Sequence, residues 1–266
     1  MPYLIPFYAY IVGLLLCVSG LCLSAAPKTD PVELYHGIAE GNYLIGDLVG
    51  AEQGIEQMLR IDPEYLPALT LKARVMLDQG KPVEALTAAD QAIALDPENH
   101  ELGLLKAIAL GHTDRRDEAK SLIQDILEKA VPESEDIRAA KQLLGLLRMA
   151  EGEWDDAAIA FKEIYLADPE TASTSLRLTS EAYLEKARVK LEDGAQDEAI
   201  AAIDQAIVVY KGQTGKEALQ QRNTLRLLRA QLLTQIGRFE LAITDLQNFT
   251  AQQPQNFEAL ITLASL

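Results

Sequence analysis

The sequence predicts an all-α fold built from repeated helical hairpins, and three observations indicate it. First, Asp62-Pro63 recurs as Asp96-Pro97, which defines a 34-residue period. Second, Ala, Leu, Glu and Gln dominate the stretches between the prolines, and 266 residues contain only 16 Gly and 11 Pro, which favours helices. Third, Leu71-Lys72-Ala73 recurs as Leu105-Lys106-Ala107 with the same period. A fixed period of this length is typical of stacked helix-turn-helix units.

The first element of the chain, residues 1–26, has the character of a secretion signal. No charged side chain occurs from Met1 to Pro27, and the apolar run Ile11 to Leu23 is followed by small residues. The same stretch is long enough to cross a bilayer if it is not cleaved, so a single N-terminal membrane anchor is the alternative. We favour export with cleavage, which predicts a bacterial periplasmic or cell-envelope protein; an uncleaved leader would leave it anchored to the membrane.

The elements that follow are six copies of the 34-residue unit and a final half-copy. The copies occupy residues 32–65, 66–99, 100–133, 138–171, 180–213 and 223–256, and the half-copy occupies 257–266. A small residue stands at the eighth place of each full copy: Ala39, Ala73, Ala107, Gly145, Ala187 and Ala230. We expect the two insertions at 172–179 and 214–222 to interrupt the regular stacking.

This pattern resembles the tetratricopeptide repeat (TPR), a helical hairpin with a small residue at position 8, Gly near 15, Ala at 20, a large apolar residue at 24 and Pro at 32. The resemblance implies a right-handed α-solenoid. The two helices of a hairpin then cross where positions 8 and 20 meet, which only Gly or Ala allows. The proline ends the second helix because it cannot extend the backbone hydrogen bonds.

The resemblance also implies that the first helices line a concave groove and bind a partner through positions that include 5, 9 and 12. The residues predicted to contact a partner are Arg74, Leu77, Leu104, Ile108, Leu146, Met149, Leu184, Arg188 and Leu227. The middle of this groove is apolar, which suits a peptide or the apolar face of an amphipathic helix. The alternatives are that the leucines only pack against neighbouring repeats and that the arginines pair with nearby glutamates.

Charge limits the choice of partner. The chain has 24 Lys and Arg against 40 Asp and Glu, a net charge of -16, which excludes sequence-independent binding of nucleic acid. Some members of the family bind a C-terminal carboxylate through Lys at position 5 and Asn at position 9. Here position 5 of the first three copies is His36, Thr70 and Leu104, so we expect the groove to be a poor site for an acidic tail.

Residues for catalysis, cofactor binding or metal binding are scarce. Both cysteines, Cys17 and Cys22, lie in the leader, and no HExxH, CxxC, GxSxG or glycine-rich phosphate loop occurs. The three histidines, His36, His100 and His112, are not spaced as metal ligands on one helical face. We therefore expect a protein that is not an enzyme and that uses no cofactor or metal.

The sequence favours an exported protein–protein interaction scaffold. Its resemblance to exported bacterial repeat proteins implies a part in assembling a cell-envelope complex. One alternative is the docking part of a larger TPR-containing enzyme or of a secretion or polysaccharide-export machine. The other is a self-associating structural subunit, suggested by the apolar final residues 257–266.

Overall fold

A computed structural model describes residues 30–131, 134–169 and 173–266. Within those ranges the chain forms thirteen α-helices and no strand. The helices are α1 Pro31–Leu44, α2 Leu48–Ile61, α3 Leu66–Asp78, α4 Pro82–Leu95, α5 His100–His112, α6 Arg116–Lys129, α7 Glu135–Glu151, α8 Trp154–Ala167, α9 Ser173–Glu192, α10 Gln196–Val209, α11 Lys216–Gln235, α12 Phe239–Gln252 and α13 Phe257–Ser265. The leader predicted at residues 1–26 lies outside the described residues.

The chain divides into two compact units, Met1–Val75 and Met76–Leu266, and the boundary falls within α3. In the described part of the first unit, α1 and α2 pack as a hairpin. The side chain of Asp47 caps α2 by accepting a hydrogen bond from the Gly50 amide at 2.9 Å. A Cβ added to Gly54 would lie 2.7 Å from the Cβ of Ala39, so the two helices cross at van der Waals contact.

The second unit repeats this hairpin, with each helix packed against the next from α5 to α13. The small residues predicted at the crossings are buried there, including Ala107, Gly145, Ala187 and Ala230. The alanines that face them from the second helices are fully buried: Ala119, Ala157, Ala199 and Ala242. The prediction of an all-α solenoid of helical hairpins is confirmed.

Each turn inside a hairpin contains one residue with a left-handed backbone. The residue is glycine in five of the six turns, with φ between 70° and 81°: Gly46, Gly80, Gly152, Gly194 and Gly237. Glycine adopts this conformation without steric cost because it lacks a Cβ. The third hairpin has Asp114 at this place, with φ of 59°. Aspartate is one of the few other residues that enter this region.

Every second helix of a hairpin has 14 residues, whether or not a proline follows. The helices α2, α4, α8 and α12 end two residues before Pro63, Pro97, Pro169 and Pro254. The helices α6 and α10 end at the equivalent place, although Val131 and Lys211 stand where the proline would be. Proline is therefore not required to end the second helix.

The segments at 172–179 and 214–222, which we expect to interrupt the regular stacking, are mostly helical and lengthen the first helices of their hairpins. The helices α9 and α11 have 20 residues each and begin well before the copies placed at Ser180 and Asn223. The added turns of α9 bury Leu176, Leu178 and Thr179, whose exposed fractions are 8%, 9% and 1%. Burial of these side chains against neighbouring helices extends the helix over residues of modest helix propensity.

Candidate functional site

The residues predicted to contact a partner lie on the first helices of the hairpins. We use "inner row" for those that the second unit places on α5, α7, α9 and α11. The inner row consists of Leu104, Ile108, Leu146, Met149, Leu184, Arg188 and Leu227. Members on one helix are three or four residues apart, which puts them on the same helical face. Of the remaining two, Leu77 is half-buried near the end of α3, and Arg74 is exposed in the first unit.

Four members of the inner row pack against buried clusters that join consecutive hairpins. Leu104 packs on a cluster that includes Leu147 of the next hairpin. Met149, Leu184 and Leu227 pack in the same way on clusters further along the unit. These side chains are half-buried, so each stabilises the stack through part of its surface and leaves part accessible.

The most accessible apolar member of the inner row is Leu146, which is 43% exposed. It lies on α7, and α7 packs against both α6 and α5, which carries the half-buried Ile108. Leu191, near the end of α9, is 39% exposed. Leu146 and Ile108 therefore offer apolar surface on adjacent hairpins.

Arg188 is neutralised by its own helix. Its Nε donates to Glu185 Oε2 at 2.9 Å, and its Nη1 donates to Glu192 Oε1 at 2.5 Å. These two hydrogen bonds raise the pKa of Arg188 above its usual value. The structure therefore supports the alternative in which Arg188 pairs with nearby glutamates.

Two of the three histidines have structural partners. His100 Nδ1 lies 3.2 Å from Asp136 Oδ2, which links α5 to α7. The His36 ring meets the Tyr65 ring edge-on, with centroids 6.0 Å apart. Over the described ranges, no group of three or more His, Cys, Asp or Glu side chains could hold a metal ion.

Sequence reasoning missed a tyrosine-lined cavity of about 620 Å³ between α8, α9 and α10. Its walls include Tyr165, Tyr183 and the exposed Leu166. Gln213 Nε2 donates to the hydroxyl of Tyr165 at 2.6 Å. Burial is the main cause of a raised pKa at Tyr183. The added turns of α9 supply Leu176 and Thr179 to this cavity, so it could not be anticipated while those residues were taken as a linker.

Comparison with known proteins identifies the family. Two sequence models described as "Tetratricopeptide repeat" match residues 76–144 and 143–217, which together cover more than half of the chain. The chain belongs to the tetratricopeptide repeat family. Both matched models describe a repeat, and the matched residues contain the helices α4 through α10.

The TPR chain is also similar to individual proteins. It is 28% identical over 234 residues to a tetratricopeptide repeat and J domain-containing co-chaperone, DNJ1, of Fusarium oxysporum f. sp. lycopersici. The match covers 84% of this chain and 41% of the co-chaperone, so the chain spans about two fifths of that relative's length.

Among solved structures, the TPR chain resembles the type IV pilus biogenesis factor PilW. The TM-score is 0.53 with 18% identity, over 88% of this chain and 99% of PilW. PilF of Pseudomonas aeruginosa gives a TM-score of 0.51 with 17% identity, over 89% of this chain and 98% of PilF. At these identities the likeness concerns the fold alone. No helix within the described ranges is both long enough and apolar enough to cross a membrane.

Proposed function

We propose that this TPR protein is an exported, non-enzymatic scaffold that binds an amphipathic helix or peptide of a partner protein along the inner row. The observation that carries the proposal is the apolar surface of Leu146 and Ile108 on neighbouring hairpins. An amphipathic helix presents apolar side chains every three or four residues, and these can pack against such a surface without charge pairing. TPR units mediate contacts between proteins, which supports a protein partner.

The charge around the row supports an apolar mode of binding. Arg188, the cation of the inner row, already pairs with Glu185 and Glu192. A partner would therefore gain most from burying apolar area, at roughly 25 cal/mol per Å², and less from pairing with charge.

Assembly of a cell-envelope complex is the process we favour. The apolar segment at residues 1–26 supports export. The likeness in fold to PilW, a type IV pilus biogenesis factor, supports a role of this kind by analogy. The mass of the N-terminal peptide of the protein purified from its host tests export: a chain that begins at Ala25 or Pro27 supports it, and an intact Met1 in a cytosolic fraction contradicts it.

Site-specific photo-cross-linking tests the binding surface. A photoreactive phenylalanine analogue is placed at Leu146 or, as the control, at Leu166 of α8, which is 64% exposed and lines the tyrosine-lined cavity. We expect a discrete partner adduct from position 146 in the native host and none from position 166. An adduct from position 166 alone would move the binding site to the tyrosine-lined cavity.

The docking part of a larger protein is a second candidate, and one observation favours it. The co-chaperone relative carries a J domain in addition to its TPR region, and this chain matches only 41% of it. The reading frame of the gene beyond Leu266 tests this candidate: an in-frame domain supports it, and an immediate stop codon contradicts it.

A further inference from the structure

A second site lies in the sixth hairpin, away from the inner row. A cavity of about 760 Å³ opens between the added turns of α11 and the end of α12. Its walls include Lys216, Arg222, Asn223 and Gln252. The lining thus includes two cations and four side-chain amides, in a chain whose net charge is -16.

Three arginines follow one another along the same side of α11, at positions 222, 226 and 229. Arg229 is neutralised, because its Nε and Nη2 donate to the carboxylate of Asp245 at 2.7 and 2.6 Å and it also pairs with Asp204. Arg222, Arg226 and Lys216 pair with no carboxylate anywhere in the described ranges. The positive charge of these three residues is therefore available to a group that enters the cavity.

Burial makes this positive charge costly. Burial is the main cause that lowers the pKa of Arg226, and the positive charges of Arg222 and Arg229 lower it further, which the carboxylate of Asp245 offsets only in part. The Nε of Arg222 is buried and has no hydrogen-bond acceptor. A buried charged donor without an acceptor is unfavourable, because it has lost its hydrogen bonds to water and gained none in return. An acceptor that enters the cavity would remove this cost.

The side-chain amides of Asn223 and Gln252 can supply a further hydrogen-bond donor to the cavity. Asn223 is only 3% exposed, and its Nδ2 donates to Gln252 Oε1 at 2.9 Å while its Oδ1 has no partner. Rotating both amides by half a turn preserves the bond between them and turns the Asn223 nitrogen toward the unpaired side. The cavity can then offer a neutral donor beside the guanidinium.

We propose that this cavity binds an oxyanion, a carboxylate or a phosphate group, with Arg222 as the main ligand and Lys216 and Arg226 adding positive potential. A guanidinium donates two parallel hydrogen bonds to either group. We do not expect an acidic tail to bind at positions 5 and 9 of the first three copies. The proposed site is a different one, because it lies on the sixth hairpin. The inference does not depend on what the inner row binds.

Titration of the full chain with inorganic phosphate and with succinate tests this inference. The ionic strength is held constant with sodium chloride, and the reporter is the Nε–H resonance of Arg222, assigned by its loss in Arg222→Gln. We expect either anion to shift this resonance and to bind. Calorimetric titration measures the affinity of the wild type and of every variant, because Arg222→Gln lacks the reporter resonance. The Arg222→Gln variant should bind about tenfold more weakly or worse, because it loses the charge-assisted hydrogen bonds of the main ligand. Arg226→Gln should weaken binding less.

The matched control is Arg115→Gln, which removes the same charge from an arginine that pairs with Glu118. It should bind both anions as the wild type does. Circular dichroism in chloride checks that all the variants are folded. A shift with phosphate alone identifies a phosphate site, and a shift with succinate alone identifies a carboxylate site. The proposal is overturned if neither anion shifts the Arg222 resonance, or if Arg222→Gln binds as tightly as Arg115→Gln.

Discussion

Gly145 allows the large ring of Phe161 to fill the crossing of the fourth hairpin. A Cβ added to Gly145 would lie 2.5 Å from the Phe161 ring, although alanine occupies this position in the other five hairpins. We expect Gly145→Ala to lower the free energy of unfolding. Overpacking costs about 1–3 kcal/mol, which exceeds the gain of about 1 kcal/mol in helix propensity. Urea denaturation followed by circular dichroism measures the difference.

Gly37→Ala is the control for this change. Gly37 also lies within a helix, α1, but no atom lies within 4 Å of its added Cβ. The control should raise stability by up to about 1 kcal/mol. The double variant Gly145→Ala with Phe161→Leu should recover part of the loss. Equal stabilisation by Gly145→Ala and Gly37→Ala would show that the fourth crossing is not tight.

Asp114 is the non-glycine residue among the left-handed turn positions, and we expect Asp114→Gly to stabilise the protein. A left-handed backbone costs about 1–2 kcal/mol for a residue with a Cβ. The ion pair that Asp114 makes with Arg116 at 2.8 Å contributes less, because Asp114 is 84% exposed. We expect a gain of about 0.5 kcal/mol in urea denaturation, the difference between these two effects. Gly194→Asp, at φ of 76°, is the reverse change and should destabilise; a loss of stability in Asp114→Gly would contradict this account.

Turns and crossings are where individual residues were most predictable from the sequence. Each turn glycine stands at position 15 of its copy, so its conformational role follows from the alignment of the copies. The substitution of Asp114 for glycine was not singled out. The signal was present, because Asp114 stands one period after Gly80.

At the scale of elements, Arg229 of α11 ties together α10 and α12. It pairs with Asp204 on α10 and with Asp245 on α12, whose side chain is only 3% exposed. We expect Arg229→Met to lower the free energy of unfolding by about 3–5 kcal/mol, because it leaves the charge of Asp245 buried and unpaired. Thermal and urea denaturation measure this loss.

Two further variants test whether the buried charge of Asp245 causes this loss of stability. Adding Asp245→Leu to Arg229→Met removes the buried charge and should restore most of the stability. Lys186→Met breaks a pair with Asp155, which is 58% exposed, and should cost less than about 1 kcal/mol. A double variant as unstable as Arg229→Met alone would show that the loss has another cause.

The repeat pattern locates the second helices better than it locates the starts of two first helices. The repeat pattern locates the second helices, because a buried alanine stands at position 20 of each copy. It does not locate the starts of α9 and α11, because their added turns have no counterpart in the other copies. Those turns form through burial against other helices, and a single sequence does not reveal these contacts.

At the scale of the whole molecule, the 34-residue period predicts the helical hairpins but not the cavities between their helices. The tyrosine-lined cavity and the cavity at Arg222 both involve the added turns of α9 or α11. The tyrosine-lined cavity brings together residues of two hairpins, and the other cavity brings together the two helices of the sixth hairpin. No local sequence pattern marks either cavity. The stripe of arginines at positions 222, 226 and 229 was visible as a helical spacing, but its charge pairing required the structure.

The central claim is that the inner row binds a partner through apolar contact at Leu146. Calorimetric titration of the partner recovered by cross-linking into wild-type protein, Leu146→Asp and Leu166→Asp tests it most directly. Placing a carboxylate in an apolar interface costs several kcal/mol, so we expect Leu146→Asp to weaken binding at least about tenfold. Leu166→Asp, a change of equal charge at a more exposed residue, should leave the affinity unchanged. Equal affinities for wild type and Leu146→Asp, or a loss of binding in Leu166→Asp alone, would contradict the claim.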